Sequence, residues 1–362
     1  MNKVYKFIIA IFALVGILFV FDKSIGTKNT QSSNKDVYFY NWGDYIDPEI
    51  IKDFERETGY NIIYETFDSN EAMMAKIEQG KTQYDLTFPS EYTVEIMREK
   101  GLLKKLDHKK IKGLENIDPR FLNLDYDPNN EYSIPYFWGS LGIIYNRQEY
   151  KAEDFDSWKN LWDEKFKGDI LSFDGARETL GIGLLAQGYS LNTTDEKVLR
   201  QTQKYLAGFM NNVKAILADE IKMYLAQGEA NVGVSFSGEA AMAREDNEDL
   251  DYVIPKDGSN IWFDTVVIPK TSKNIEGAYA FINYILRPEV AAKNAEYVCY
   301  STPNKKAKKY LSEEMINDKT LYPDDEYIDH LEVFKDLGKE KTILYNDLFL
   351  DLKISPNLDE NK

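Results

Sequence analysis

Residues 37–88 read VYFYNWGDYIDPEIIKDFERETGYNIIYETFDSNEAMMAKIEQGKTQYDLTF, and the order of patterns in this run decides the fold class. The quartet at 37–40 is aromatic and β-branched, which suits a strand. Asp47 and Pro48 then supply an N-cap and a first-turn proline for a helix that turns Ile50, Ile51 and Phe54 inward and stops at Gly59. A second strand is expected at 62–65. It leads into a helix from about Asn70 with Met73, Met74 and Ile77 on one face and Gly80 at its end. A third strand at 85–88 breaks at Pro89. Strand, helix, strand, helix, strand in this order calls for a mostly parallel sheet with helices on its faces.

Outward from this unit, a second of the same kind follows Tyr145. Strands are expected at 170–173, 214–217 and 232–236, with helices from about Arg177, over about 195–210 and over 221–227. Another apolar strand is expected at 265–268. The chain of 362 residues therefore reads as α/β with two lobes, and no fixed-period repeat is visible. At the other end, Lys3 and Lys6 precede the uncharged run 7–21, FIIAIFALVGILFVF, the pattern of an export signal. Two readings of residues 1–26 fit. One is a signal peptide cut to leave Thr27 first; the other is an uncleaved membrane anchor, long enough to span if Val4 and Tyr5 join the run. Residues 27–35, TKNTQSSNK, read as a flexible tether. With no cysteine near this segment, the acylated lipoprotein route is excluded. The expected location is periplasmic or at the outer face of a cell membrane, Gram-positive-like.

Composition narrows the function. The 61 acidic side chains outnumber the 44 basic ones for a formal charge of −17, which argues against nucleic acid and favours a cationic partner. Cys299 is the only cysteine, so an intramolecular disulfide, a thiolate metal cluster and a CxxC redox pair are excluded. His108 and His330 are the only histidines, too few for a multi-histidine zinc site. There is no GxSxG elbow, no P-loop and no GxGxxG after a strand. No cofactor or metal is expected.

In open α/β sheets ligands lie beyond the carboxyl ends of the strands. Those places hold Trp42 and Tyr45 after the first strand, and Ser90, Glu91 and Tyr92 after the third. In the second unit they hold Asp174 and Glu178, then Ser237, Gly238 and Glu239. Trp262 and Asp264 repeat the pairing of ring and carboxylate. A protonated amine over an indole or phenol face is attracted by the ring quadrupole, by about 2 kcal/mol when desolvated, and a carboxylate neutralises its charge. Ammonium groups joined by aliphatic spacers match such a lining. The rings also allow a sugar, and two carboxylates with tryptophans allow a glycosidase. Plain structural roles compete at each position: Asp174 as a helix N-cap, Glu239 as a first-turn charge, Trp42 and Trp262 as core or hinge rings.

Several blocks are similar to the spermidine/putrescine-binding (PotD-type) components of bacterial polyamine ABC importers. They are YFYNWGDYID at 38–47, FDSNEAM at 67–73, YDL at 84–86 with PSEY at 89–92, DPNN at 127–130, and YSIPYFWG at 132–139. Residues 174–178 and 262–264, YSTPN at 300–304 and LYPD at 321–324 continue the series, so the resemblance runs in order through 36–352. It implies a non-enzymatic solute-binding protein with the two-lobed periplasmic-binding fold of type II, holding a polyamine in the interlobe cleft and delivering it to ABC permease subunits. The implied lobes are 36–143 plus 264–308, and 144–263 plus 309–362. Carried over by position, the aromatic box is Trp42, Tyr45, Tyr92, Trp262 and Tyr300, with Ser90 as a polar contact and Glu178 and Asp264 as charge partners. Gly175 stands where an aspartate is usual, with Asp174 one place earlier. Phe236 replaces a common tryptophan, and Phe334 falls where a glutamine often meets the ligand. Asp219 either supplies the missing charge or caps the helix it begins.

Overall fold

The computed structural model describes residues 35–354, so the export segment, the tether up to residue 34 and residues 355–362 lie outside the described residues. In chain order the elements are β1 (Asp36–Trp42), α1 (Pro48–Thr58), β2 (Asn61–Phe67), α2 (Asn70–Gln79), β3 (Leu86–Thr87), α3 (Glu91–Glu99), β4 (Ser133–Asn146), β5 (Ile170–Phe173), α4 (Ala176–Leu185), α5 (Glu196–Met210), β6 (Val213–Leu217) and α6 (Ile221–Ala226). They continue with β7 (Val232–Phe236), α7 (Ser237–Asp246), β8 (Leu250–Val253), β9 (Ser259–Val267), α8 (Ile275–Ile285), α9 (Pro288–Val298), α10 (Glu313–Asn317), α11 (Asp325–Ile328), β10 (Leu331–Glu332) and α12 (Gly338–Ile354).

Local chemistry sets the boundaries of the first unit. Asp47 caps α1 by accepting from the Glu49 amide at 2.8 Å, and Gly59 ends it at φ 72°. Ser69 caps α2 through the Ala72 amide. β1 runs parallel to β2, from Asp36 opposite Asn61 to Trp42 opposite Phe67, and parallel to β3 on its other side. In the second unit β5 is parallel to both β6 and β7. Between these parallel wings lies an antiparallel spine: β9 is antiparallel to β3 and β4, and β4 to β7 and β8.

Among the described residues the apolar side chains form one core on the first unit and two on the second. Val37, Phe39, Phe54, Phe88, Ile134, Phe137, Val266 and Phe281 belong to the first. Leu141, Ile143, Trp158, Leu180, Leu206, Val234 and Tyr345 belong to a second, on one face of β4, and Ile144, Leu171, Ile221 and Ala240 to a smaller third on the other. Ile143 and Ile144 divide because successive strand side chains point to opposite faces. Leu311, Met315 and Leu321, expected by resemblance in the second lobe, pack in the first core. The chain passes between cores at 138–141, at 259–261 and at 331–334. These passages adjoin, since β10 pairs with β9 at Ser259 and Asn260, and β9 pairs with β4 between Ile261 and Ser140.

Candidate functional site

At the junction of the cores a carboxylate is held from two directions. Asp264, in β9, is 6% exposed. Its Oδ2 accepts from the Tyr45 hydroxyl at 2.5 Å and its Oδ1 from the Ser90 hydroxyl at 2.6 Å. Ser90 is there because the chain, having left β3 after Thr87, forms an isolated antiparallel bridge from Ser90 to Asp264 before α3 begins. Asn70, the first residue of α2, fixes its orientation. Its side-chain amide donates to the Ser90 and Tyr92 hydroxyl oxygens, each at 3.0 Å, and its Oδ1 accepts from the Ser90 amide at 3.1 Å. Burial raises the Asp264 pKa to about 6, against the lowering effect of the two hydroxyl donors.

Aromatic rings extend from this carboxylate toward the second unit. Tyr45 and Tyr300 stand 5.8 Å apart, Tyr300 and Trp262 5.0 Å apart edge to face, Trp262 and Phe236 6.0 Å apart, and Phe236 and Phe173 4.8 Å apart. Tyr300 lies so close to the backbone of Gly238 that a Cβ there would be 2.2 Å from the ring, which makes glycine obligatory for this approach. Trp42 stands apart from the chain of rings: it packs on Phe67 at 4.5 Å and donates its indole N–H to the Phe88 carbonyl at 2.8 Å.

The acids of the second unit take three different places. Glu178, half-buried in the first turn of α4, folds over Gly175, where a Cβ would come within 2.0 Å of its Oε2. Gly175 has φ −141°, an extended value open to any residue, so what glycine provides here is room for the Glu178 carboxyl, the far end of a flexible side chain that a Cβ would push aside. Burial raises the Glu178 pKa, with the neighbouring Arg177 charge opposing. Asp174 points away into an ion pair with Lys353, whose Nζ lies 2.7 and 2.8 Å from its oxygens. Asp219 is exposed, and its charge bears on Glu239 and Tyr300.

Residues 49–323 match the family of bacterial extracellular solute-binding proteins. The chain belongs to that family. The substrate-binding protein PotD of a spermidine/putrescine ABC transporter from Streptococcus pneumoniae, solved with calcium and HEPES, is 52% identical, with a TM-score of 0.82 over 89% of this chain and 100% of that one. The spermidine/putrescine-binding periplasmic protein of Escherichia coli (strain K12) is 42% identical over 321 residues, 88% of this chain and 92% of the relative. Its counterpart 1 in Haemophilus influenzae is 36% identical over 328 residues, 90% and 91% of the two chains. The two-lobed fold and the solute-binding, non-enzymatic character expected from the resemblance are those of this family. The family is one of extracellular solute-binding proteins, so the site of action is outside the cytoplasm.

Three side chains near the site have roles that sequence reasoning does not assign: it gives none to Asn70 and Arg177, and it places Glu91 beyond a strand end without its depth. Asn70 was legible only as a helix start. Glu91, completely buried, bonds through Oε2 to the Phe263 amide at 3.0 Å while its Oε1 has no partner among the described residues, and burial raises its pKa to about 8. Arg177 lies with its guanidinium 4.4 Å over the Phe334 ring and 5.2 Å from that of Tyr345. Phe334 is thus buried beneath a cation, which accounts for an aromatic where the resemblance leads one to expect glutamine. A carboxylate at the head of a strand or helix is visible in sequence; its depth is not.

Proposed function

We propose that the protein captures a polyamine, spermidine or putrescine, and hands it unmodified to the permease of an ABC importer. The observation that carries this reading is Asp264: a buried carboxylate, held by two hydroxyl donors and flanked by the rings of Tyr45, Tyr300 and Trp262, with no basic side chain among the described residues paired to it. Such a group lacks a cation, and an ammonium on an aliphatic chain supplies the charge while its methylenes lie against the rings. In this reading Trp42, Tyr45, Ser90, Tyr92, Glu178, Phe236, Trp262, Asp264 and Tyr300 contact the ligand, and Asp174 does not. The relatives described above, named for spermidine and putrescine, support the same choice.

The lobes in this proposal follow the cores. One comprises 36–139 with 261–330, the other 141–258 with 334–354, and they turn about the adjoining strands at 138–141, 259–261 and 331–334. Ligand contacts drawn from both lobes bias that motion toward closure. Residues 7–21 tie the protein to the outer face of the membrane beside its permease, or direct its export before removal. A thermal-shift and calorimetric panel of spermidine, putrescine, spermine, maltose and basic amino acids tests the reading. Polyamines should raise the midpoint by mass action with one molecule bound per chain. A response to maltose and to no polyamine would replace it with carbohydrate binding.

A further inference from the structure

Beside Tyr300, the ring next to Tyr45 in the aromatic chain, the protein carries a cation of its own. Glu239, in the first turn of α7, is 7% exposed. Its Oε1 accepts from the Tyr300 hydroxyl at 3.3 Å and its Oε2 pairs with the Lys222 ammonium at 2.7 Å. Lys222 comes from α6, and its side chain retains 34% exposure. Asp219, just before α6, acts electrostatically on both Glu239 and Tyr300. The phenol of Tyr300 therefore connects two acidic ends. One is Asp264, reached through Tyr45 at 5.8 Å; the other is Glu239 with Asp219 beside it. Among the described residues the first end has no built-in cation, whereas the second already holds one.

We propose that Lys222 is a built-in ammonium occupying an amine subsite formed by Glu239 and Asp219, and that it sets the discrimination between two-ammonium and three-ammonium polyamines. The inference rests on the polyamine reading above and assigns to it a specificity element. Geometry motivates the role: a primary ammonium on a flexible tetramethylene stem lies against a buried acid and a phenol, the arrangement that a ligand amine would adopt. A diamine spanning Asp264 and Glu178 leaves this pair undisturbed. The third ammonium of a triamine reaching past Tyr300 meets a like charge, and must either drive Lys222 into solvent or remain outside. Specificity is a difference of affinities, and a repulsive element inside the site is one way to set it. Lysine suits the role because its head is strongly hydrated and its stem mobile, so displacement toward water is open to it.

The test measures the ratio of the spermidine to the putrescine dissociation constant by calorimetry, in the full chain and in two single variants. Lys222→Met keeps the stem and removes the charge; it should shift the ratio about tenfold toward spermidine, the scale of one partly desolvated charge contact. Glu239→Gln leaves Lys222 unpaired and should shift the ratio the other way, toward putrescine, so the inference stays falsifiable if one variant does not fold. Wild-type protein binding both ligands, with a ratio unmoved in the folded variants, would overturn the role of Lys222 and leave the polyamine reading intact. Wild-type protein that binds neither ligand would overturn both.

Discussion

Replacing Asp264 by asparagine separates its charge from its place in the hydrogen-bond network. Asparagine still presents an oxygen to Tyr45 or Ser90, so the main loss is the negative charge. Truncating one member of a buried charge pair costs about 2–5 kcal/mol, which is roughly 30-fold to several thousand-fold in affinity. The pH dependence is the sharper part. With a ligand-free pKa of about 6, Asp264 is ionised in roughly nine-tenths of molecules at pH 7 and roughly one-tenth at pH 5. An ammonium in contact keeps the bound form ionised, so acidification must weaken binding, and by linkage this one group gives about tenfold between pH 7 and pH 5. Glu178, also raised by burial, adds a loss of the same sign. The assay is calorimetric titration of polyamine into wild-type protein and Asp264→Asn at several pH values from 5 to 8. The wild-type curve of log Kd against pH should be steeper than that of the variant, by about one tenfold step over the lower two units. Parallel curves, or an Asp264→Asn affinity within threefold of wild type at pH 7, would refute the assignment of the ligand ammonium to this carboxylate.

Glu178→Gln should weaken polyamine binding next most strongly after Asp264→Asn. Asp174→Asn should leave the affinity within about twofold, because its carboxylate is held by Lys353 at the surface; titrations of the two variants side by side check the order. The raised pKa of Glu91 favours the folded state fully below its ordinary value of 4.5, and that contribution is lost as pH rises to about 8. Glu91→Gln cannot ionise, so the melting temperature of the ligand-free variant should gain on wild type between about pH 5 and pH 8.5, and equal pH profiles would show that Glu91 is not buried as described. Closure is checked by small-angle scattering, in which saturating polyamine should reduce the radius of gyration.

How much of this was legible in the sequence follows from where local rules decide. The parallel wings announced themselves through Asp47, Pro48, Gly59, Ser69 and Gly80, which cap or end helices by chemistry confined to a few residues. The spine did not. β4, SIPYFWGSLGIIYN, is buried along nearly its whole length, so it has no polar alternation, and Pro135, Gly139 and Gly142 interrupt its β-forming residues. Its pairing even slips between Pro135 and Phe137. β9 begins at Ser259, six residues ahead of the apolar run at 265–268, because its first half is specified by pairing to β4 and β10. At the site, the ring and carboxylate positions were visible as residue types. That Asp174 turns outward while Glu178 fills the space over Gly175 depends on a close approach no spacing encodes.

Glu91, Glu178, Glu239 and Asp264 share one cause for their raised pKa values: each has been moved out of water. Taking an ion from water costs several kcal/mol unless a partner repays it, and the four are compensated differently. Glu239 has Lys222, and Glu178 feels Arg177. Glu91 has one backbone amide and keeps its proton near neutrality, whereas Asp264 has two hydroxyl donors and gives its proton up above about pH 6. At neutral pH, then, Asp264 is the ionised acid most in need of an external charge. Hydroxyl donors stabilise it enough to stay ionised and too little to satisfy it, which is the condition for strong discrimination in favour of a cation. A lysine or arginine in place of Tyr45 would settle the charge permanently and close the site. The same arithmetic makes ligand and folding interdependent: an ammonium that binds only the closed, native arrangement relieves a cost the empty protein carries, so saturation should stabilise the fold.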